Sequence, residues 1–100
     1  MTVAIPNEVS TKVLSANESD DFKHAVWFQN FSVHHGLYLR CGDASGEDEF
    51  YLSPAVTSGS HTLPSSLVVQ NTGGDSTLVN ANWFAWQESG ASMNLKCGRW

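Results

Sequence analysis

The stretch AVWFQNFSVHHGLYLRCGDAS, Ala25 to Ser45, decides how this chain is read. From His35 to Gly42 it alternates cleanly, with Leu37, Leu39 and Cys41 on one face and Tyr38 and Arg40 on the other. That period of two is the signature of a half-buried strand. From His24 to Ser32 a second run places Val26, Phe28 and Asn30 on one face and Ala25, Trp27, Gln29 and Phe31 on the other. Apolar groups on both faces suit a strand covered on two sides. His34 and His35 stand between the runs, followed by Gly36, where a hairpin connection belongs. Neighbouring residues of a strand point to opposite faces, so this pair cannot grip one metal ion from a regular strand. The stretch therefore reads as two strands and their connection, not as a catalytic or metal-binding segment.

Working outward, the same pattern recurs. Strands are expected at Thr11 to Ala16, Glu49 to Pro54, Ser60 to Pro64, Ser66 to Asn71, Ala81 to Glu88 and Ser92 to Arg99, each bounded by turn residues. The segments DASGED (Asp43 to Asp48), VTSGS (Val56 to Ser60) and NTGGDST (Asn71 to Thr77) read as loops, and NESDDFKHA (Asn17 to Ala25) as a loop with at most one helical turn. Residues 1–10 read as a flexible N-terminal arm. The expected fold is all-β: one antiparallel β-sandwich or small β-barrel of about seven or eight short strands, spanning residues 1–100 as a single domain. Alternation predicts that Leu37, Leu39, Cys41, Phe50, Leu52, Met93, Leu95 and Cys97 point into one core.

Composition narrows the function classes. Charged residues make up 15% of the 100, the net charge is -5, and the five Lys and Arg are scattered. Without a basic patch, nucleic acid is not an expected partner. No apolar run approaches the roughly 20 residues of a membrane span, and the N-terminus lacks the basic and apolar regions of a secretory signal. Met1 followed by such a sequence reads as a complete, cytosolically made chain. Cys41 and Cys97 face inward by alternation. Free buried thiols are the expectation for a cytosolically assembled protein; a bridge between neighbouring strands would add about 4 kcal/mol in the chain-entropy model.

Chemistry-bearing motifs are absent. Asp43, Glu47, Asp48 and Glu49 surround Gly46 without the spacing of a calcium loop and read as a solvated acidic loop. A zinc site would need His24, His61, Cys41 and Cys97 gathered around the histidine pair. No G-x-S-x-G elbow or phosphate loop occurs, and alternation puts Arg40 and Lys96 on the strand faces opposite Cys41 and Cys97, so neither cysteine has an evident activating base. No catalytic residue, metal or cofactor is expected, and a small hydrolase has no support from spacing.

The order of motifs, however, resembles the small all-β virion proteins of tailed bacteriophages. The matching positions are Leu14 to Asn17, Phe28 to Ser32, Leu37 to Gly42, Leu52 to Pro54, Gly59 to Pro64 and a closing hairpin at Ser89 to Trp100. The chain departs from that pattern in its extra Trp and Phe, in the histidine pair and in a long segment from Ser65 to Asn80. The resemblance implies a structural protein acting by protein–protein binding, foremost a capsid decoration or cement protein. Its partners would be other copies of itself and a larger virion scaffold such as the major capsid protein, with assembly in the host bacterial cytoplasm. Ser65 to Asn80 and the C-terminal Gly98 to Trp100 form the expected contact zone, with Trp83, Trp86, Arg99, Trp100, Leu67 and Val69 as interface residues. The alternative is a carbohydrate- or receptor-binding module of a tail or fibre, using exposed aromatics on a β face. The positions of Trp27, Trp83, Trp86 and Trp100 discriminate: a co-planar exposed pair favours sugar, burial favours structure.

Overall fold

Alternating short strands separated by turn residues give the elements of a computed structural model, which describes residues 1–17, 24–42, 49–70 and 77–100. Along the chain these are β1 (Thr2–Ile5), β2 (Thr11–Leu14), β3 (Ala25–Asn30), β4 (Leu37–Cys41), β5 (Glu49–Leu52), β6 (Val56–Ser58), β7 (His61–Leu63), β8 (Ser65–Gln70), a single helical turn α1 (Thr77–Asn80), β9 (Trp83–Trp86) and β10 (Met93–Arg99). Two four-stranded sheets result, ordered β1-β10-β3-β8 and β2-β9-β4-β5, and β6 pairs with β7 alone. Every pairing is antiparallel. With the β6–β7 hairpin set aside, each successive strand crosses to the opposite sheet, except that β5 follows β4 in the same one. This is the strand order of a jelly roll, the two-sheet solution in which Greek-key connections wrap the chain around one core.

The opening stretch is thus two strands, as expected, but not a hairpin. β3 lies between β10 and β8 in the first sheet, and β4 lies between β9 and β5 in the second. The connection at residues 31–36 passes from one sheet to the other. Its course is held by Asn30, whose buried amide donates to His35 O (2.9 Å) and Ser53 O (3.0 Å) and accepts from Ser32 N (3.0 Å). Gln87 plays the same part where the chain crosses from β9 to β10. It donates to Ile5 O (2.9 Å) and Ala91 O (2.7 Å) and accepts from Ser89 N (2.7 Å). The closing segment is therefore a second crossover and not the expected hairpin. Asn30 and Gln87 are buried because each satisfies backbone groups that a crossing chain would otherwise leave unpaired.

Other expectations are corrected as well. The N-terminal residues are not a free arm: Thr2–Ile5 pairs with β10 from Lys96 to Met93, and Ile5 is fully buried. Val56–Ser58, expected as loop, is β6. In the long segment from Ser65 to Asn80, the described residues Ser65–Gln70 form an ordinary sheet strand paired with β3. The expected acidic loop at 43–48, the segment 18–23 and the glycine-rich segment 71–76 lie outside the described residues.

The core forms between the inner faces. Leu37, Leu39, Cys41, Leu52, Met93, Leu95 and Cys97 are all buried in one cluster, with Phe50 packed against it, as alternation predicts. Trp83 fills the centre, its ring 4.9 Å from Phe28 and 5.8 Å from Phe50, and its indole N–H donates to Leu78 O at 2.8 Å. Cys41 and Cys97 are both buried and are not joined by a disulfide.

Candidate docking surface

Of the six expected interface residues, Trp83 is fully buried, Leu67, Val69, Trp86 and Arg99 are half-buried, and Trp100 is exposed. Trp83 is the central core residue, because β9 turns Trp83 and Ala85 inward and Phe84 and Trp86 outward. Leu67 and Val69 face inward, with Ser66, Val68 and Gln70 exposed between them. Arg99 is a strut rather than a contact: its guanidinium donates to Val79 O, Ala81 O and Ser15 O, tying the end of β10 to α1 and to the residues after β2. Three carbonyls from separate segments suit the fixed fork of arginine donors. Trp86 and Trp100 do reach the surface, but on different faces.

Trp100 belongs to the outer face of the first sheet. Its backbone continues the β10–β3 ladder past Arg99: Ala25 N donates to Trp100 O at 3.0 Å and Trp100 N to Ala25 O at 3.1 Å. The next outward row pairs Gly98 with Trp27 and Trp27 with Val68. Gly98 is required there because a Cβ would lie 2.9–3.0 Å from atoms of the Trp27 indole, so the ring can rest on the sheet only over a bare backbone. Trp27, Gln29, Ser66, Val68 and Trp100 thereby enclose a shallow groove of about 320 Å³ with no ionisable side chain in its lining. Val68 is 47% exposed and Trp100 52%. The groove joins the two segments expected to make contact, Ser65 onward and Gly98 to Trp100, through Trp27. Trp27 is not among the six expected interface residues, although its place with Ala25 and Gln29 on one strand face is readable from the alternation.

The outer face of the second sheet differs. Trp86, Tyr38 and Tyr51 run across it with ring centroids 6.1 and 5.2 Å apart, and Tyr51 is 57% exposed. The planes are tilted by 49° and 51°, so these rings do not form a flat platform. His34 and His35 are exposed at the end of this row, their centroids 6.4 Å apart. Among the described residues, no group of three or more His, Cys, Asp and Glu could hold a metal ion.

The buried thiol of Cys97 has its pKa raised from the ordinary 9.0, chiefly by burial, with the N-terminal ammonium and Arg99 opposing the shift. Burial likewise lowers the pKa of Arg99, opposed by the two cysteines. A thiol held protonated in the core is packing material, not a nucleophile. Comparison with family models, curated proteins and solved structures finds no match for this chain.

Proposed function

We propose that this chain is a structural protein of a tailed-bacteriophage virion, a capsid decoration or cement subunit that acts by binding and carries no chemistry. The observation that carries the reading is the groove of Trp27, Val68 and Trp100 on an outer sheet face, whose lining has no ionisable side chain. Exposed aromatic and aliphatic groups held on a rigid sheet are the usual anchors of protein interfaces. The groove has room for an apolar side chain of a larger scaffold such as the major capsid protein. The motif order from Leu14 to Trp100 and the jelly-roll strand order support the virion assignment. The same strand order serves lectins and cupins, so the site and not the fold must decide. Synthesis and assembly in the host bacterial cytoplasm, with incorporation into the virion, complete the proposal.

The test is retention on particles. The chain and its Trp100→Ala variant are each produced with the capsid genes that accompany its own gene, and purified particles are probed for it. Retention of the parent chain and loss of the variant, at an unchanged melting temperature, supports the reading. Absence of the parent chain from particles, or equal retention of both, refutes it.

A second reading, a carbohydrate-binding module, draws on the exposed Tyr51 beside Tyr38 and Trp86. The tilted rings favour it less than a flat stacking surface would. Glycan-array binding that is lost in Tyr51→Ala would move the assignment to that face.

A further inference from the structure

The two four-stranded sheets have four edge strands, and three carry a feature that discourages further pairing. β2 contains Lys12 and a register shift between Lys12 and Leu14. β5 is four residues long and begins with Glu49. β1 is also four residues long, lies between the N-terminal ammonium and Pro6, and so offers little length. Charges, bulges, prolines and shortness are the devices by which sheet edges avoid unwanted partners. β8 has no charge and no bulge, and although Pro64 immediately precedes it, it is the longest of the four. It is six residues, Ser65–Gln70, without charge or proline, paired to β3 in unbroken register from Gln70 to Ser65. Among the described residues, no backbone hydrogen bond leaves its other side.

We infer that β8 is a pairing edge and that its occupant is β8 of a second copy of this chain. An open edge binds an extended strand through its backbone groups. A strand pairing antiparallel with its own two-fold copy supplies such a partner. Keeping outward residues opposite outward residues allows a register centred on Val68. Val68 then meets Val68 of the second copy and each Ser66 meets Gln70, so no charged side chain falls within the pairing. The two β1-β10-β3-β8 sheets become one eight-stranded sheet, and the two grooves of Trp27, Val68 and Trp100 come to lie side by side across the axis. This goes beyond the proposed function: the groove is the surface offered to the scaffold, whereas the edge joins copies.

The experiment is sedimentation over a range of concentrations, with hydrogen exchange measured on the same samples. The expected result is a reversible dimer in which alternate β8 amides become protected as the dimer forms. Val68→Lys places like charges opposite each other and should weaken the dimer roughly tenfold or more. Trp100→Ala should leave the dimer intact while particle retention is lost, which separates failure of the edge from failure of the groove. Should Val68→Lys fail to fold, copper-catalysed cross-linking of Val68→Cys replaces it, because Cys41 and Cys97 are buried. A monomer at every concentration, a dimer without β8 protection, or a dimer that Val68→Lys leaves unchanged overturns the inference.

Discussion

Leu39 is fully buried between Ala85 and Phe50 on the neighbouring strands. Its truncation to Ala removes buried methyl groups and leaves a void that flanking strands can only partly close. The expected loss is about 2–5 kcal/mol, read as a lower urea midpoint at unchanged slope. Cys97 makes a different kind of prediction. Its folded pKa is raised, so the native state holds this proton more tightly than the unfolded chain. The associated stability is complete below the unfolded value, near 9.0, and is lost as pH rises from there through the folded value. Urea midpoints should therefore fall above about pH 9, and Cys97→Ala should flatten that alkaline decline while lowering the neutral-pH midpoint. An alkaline limb identical in both proteins would assign the decline to other groups.

At the scale of elements, β1 and the β6–β7 hairpin are opposites. β1 is short, but Ile5 is buried, Val3 packs against the core, and the strand covers the edge of β10. Removing residues 1–6 should lower the melting temperature by well over the few degrees that about 1 kcal/mol represents in a chain of this size. A neutral truncation would restore the free-arm expectation. In β6 and β7 every residue is exposed, including Val56 and Leu63, which face each other across the hairpin. Two strands without a packed face are marginally stable in water. Amides of Val56–Ser58 and His61–Leu63 should therefore exchange faster than those of β3 and β10, without global unfolding. Equal protection would mean that something covers the hairpin in solution.

For the whole molecule, the decisive feature is how far apart in sequence the paired strands lie. Thr2 pairs with Lys96, and Thr11 with Ala85. Loops of that length must close before their contacts stabilise anything, so refolding should take milliseconds to seconds rather than microseconds. Because both sheets share one hydrophobic cluster, Trp fluorescence and far-ultraviolet circular dichroism should report the same unfolding midpoint. Separate midpoints would show sheets that melt independently.

The sequence by itself determined the class of fold and the inward faces of β4, β5 and β10; whether Cys41 and Cys97 pair was left to the structure. Strand faces are local properties: a period of two in Leu37 to Cys41 or Met93 to Cys97 states which side chains must leave water, whatever the neighbours are. Which strands become neighbours is not local. The same run of residues between Asn30 and Leu37 serves a tight hairpin or a crossover equally well on paper. The crossover is chosen by buried Asn30, which gathers carbonyls from His35 and Ser53, and that second carbonyl reaches Asn30 only once the sheets have packed. Tertiary structure alone likewise turned Trp83 from surface anchor to core, made Arg99 a brace, and brought Trp27, Val68 and Trp100 into one groove. An aromatic or an arginine in a strand declares its size and charge. Its role depends on which face the sheet presents and on which carbonyls from distant segments come within reach.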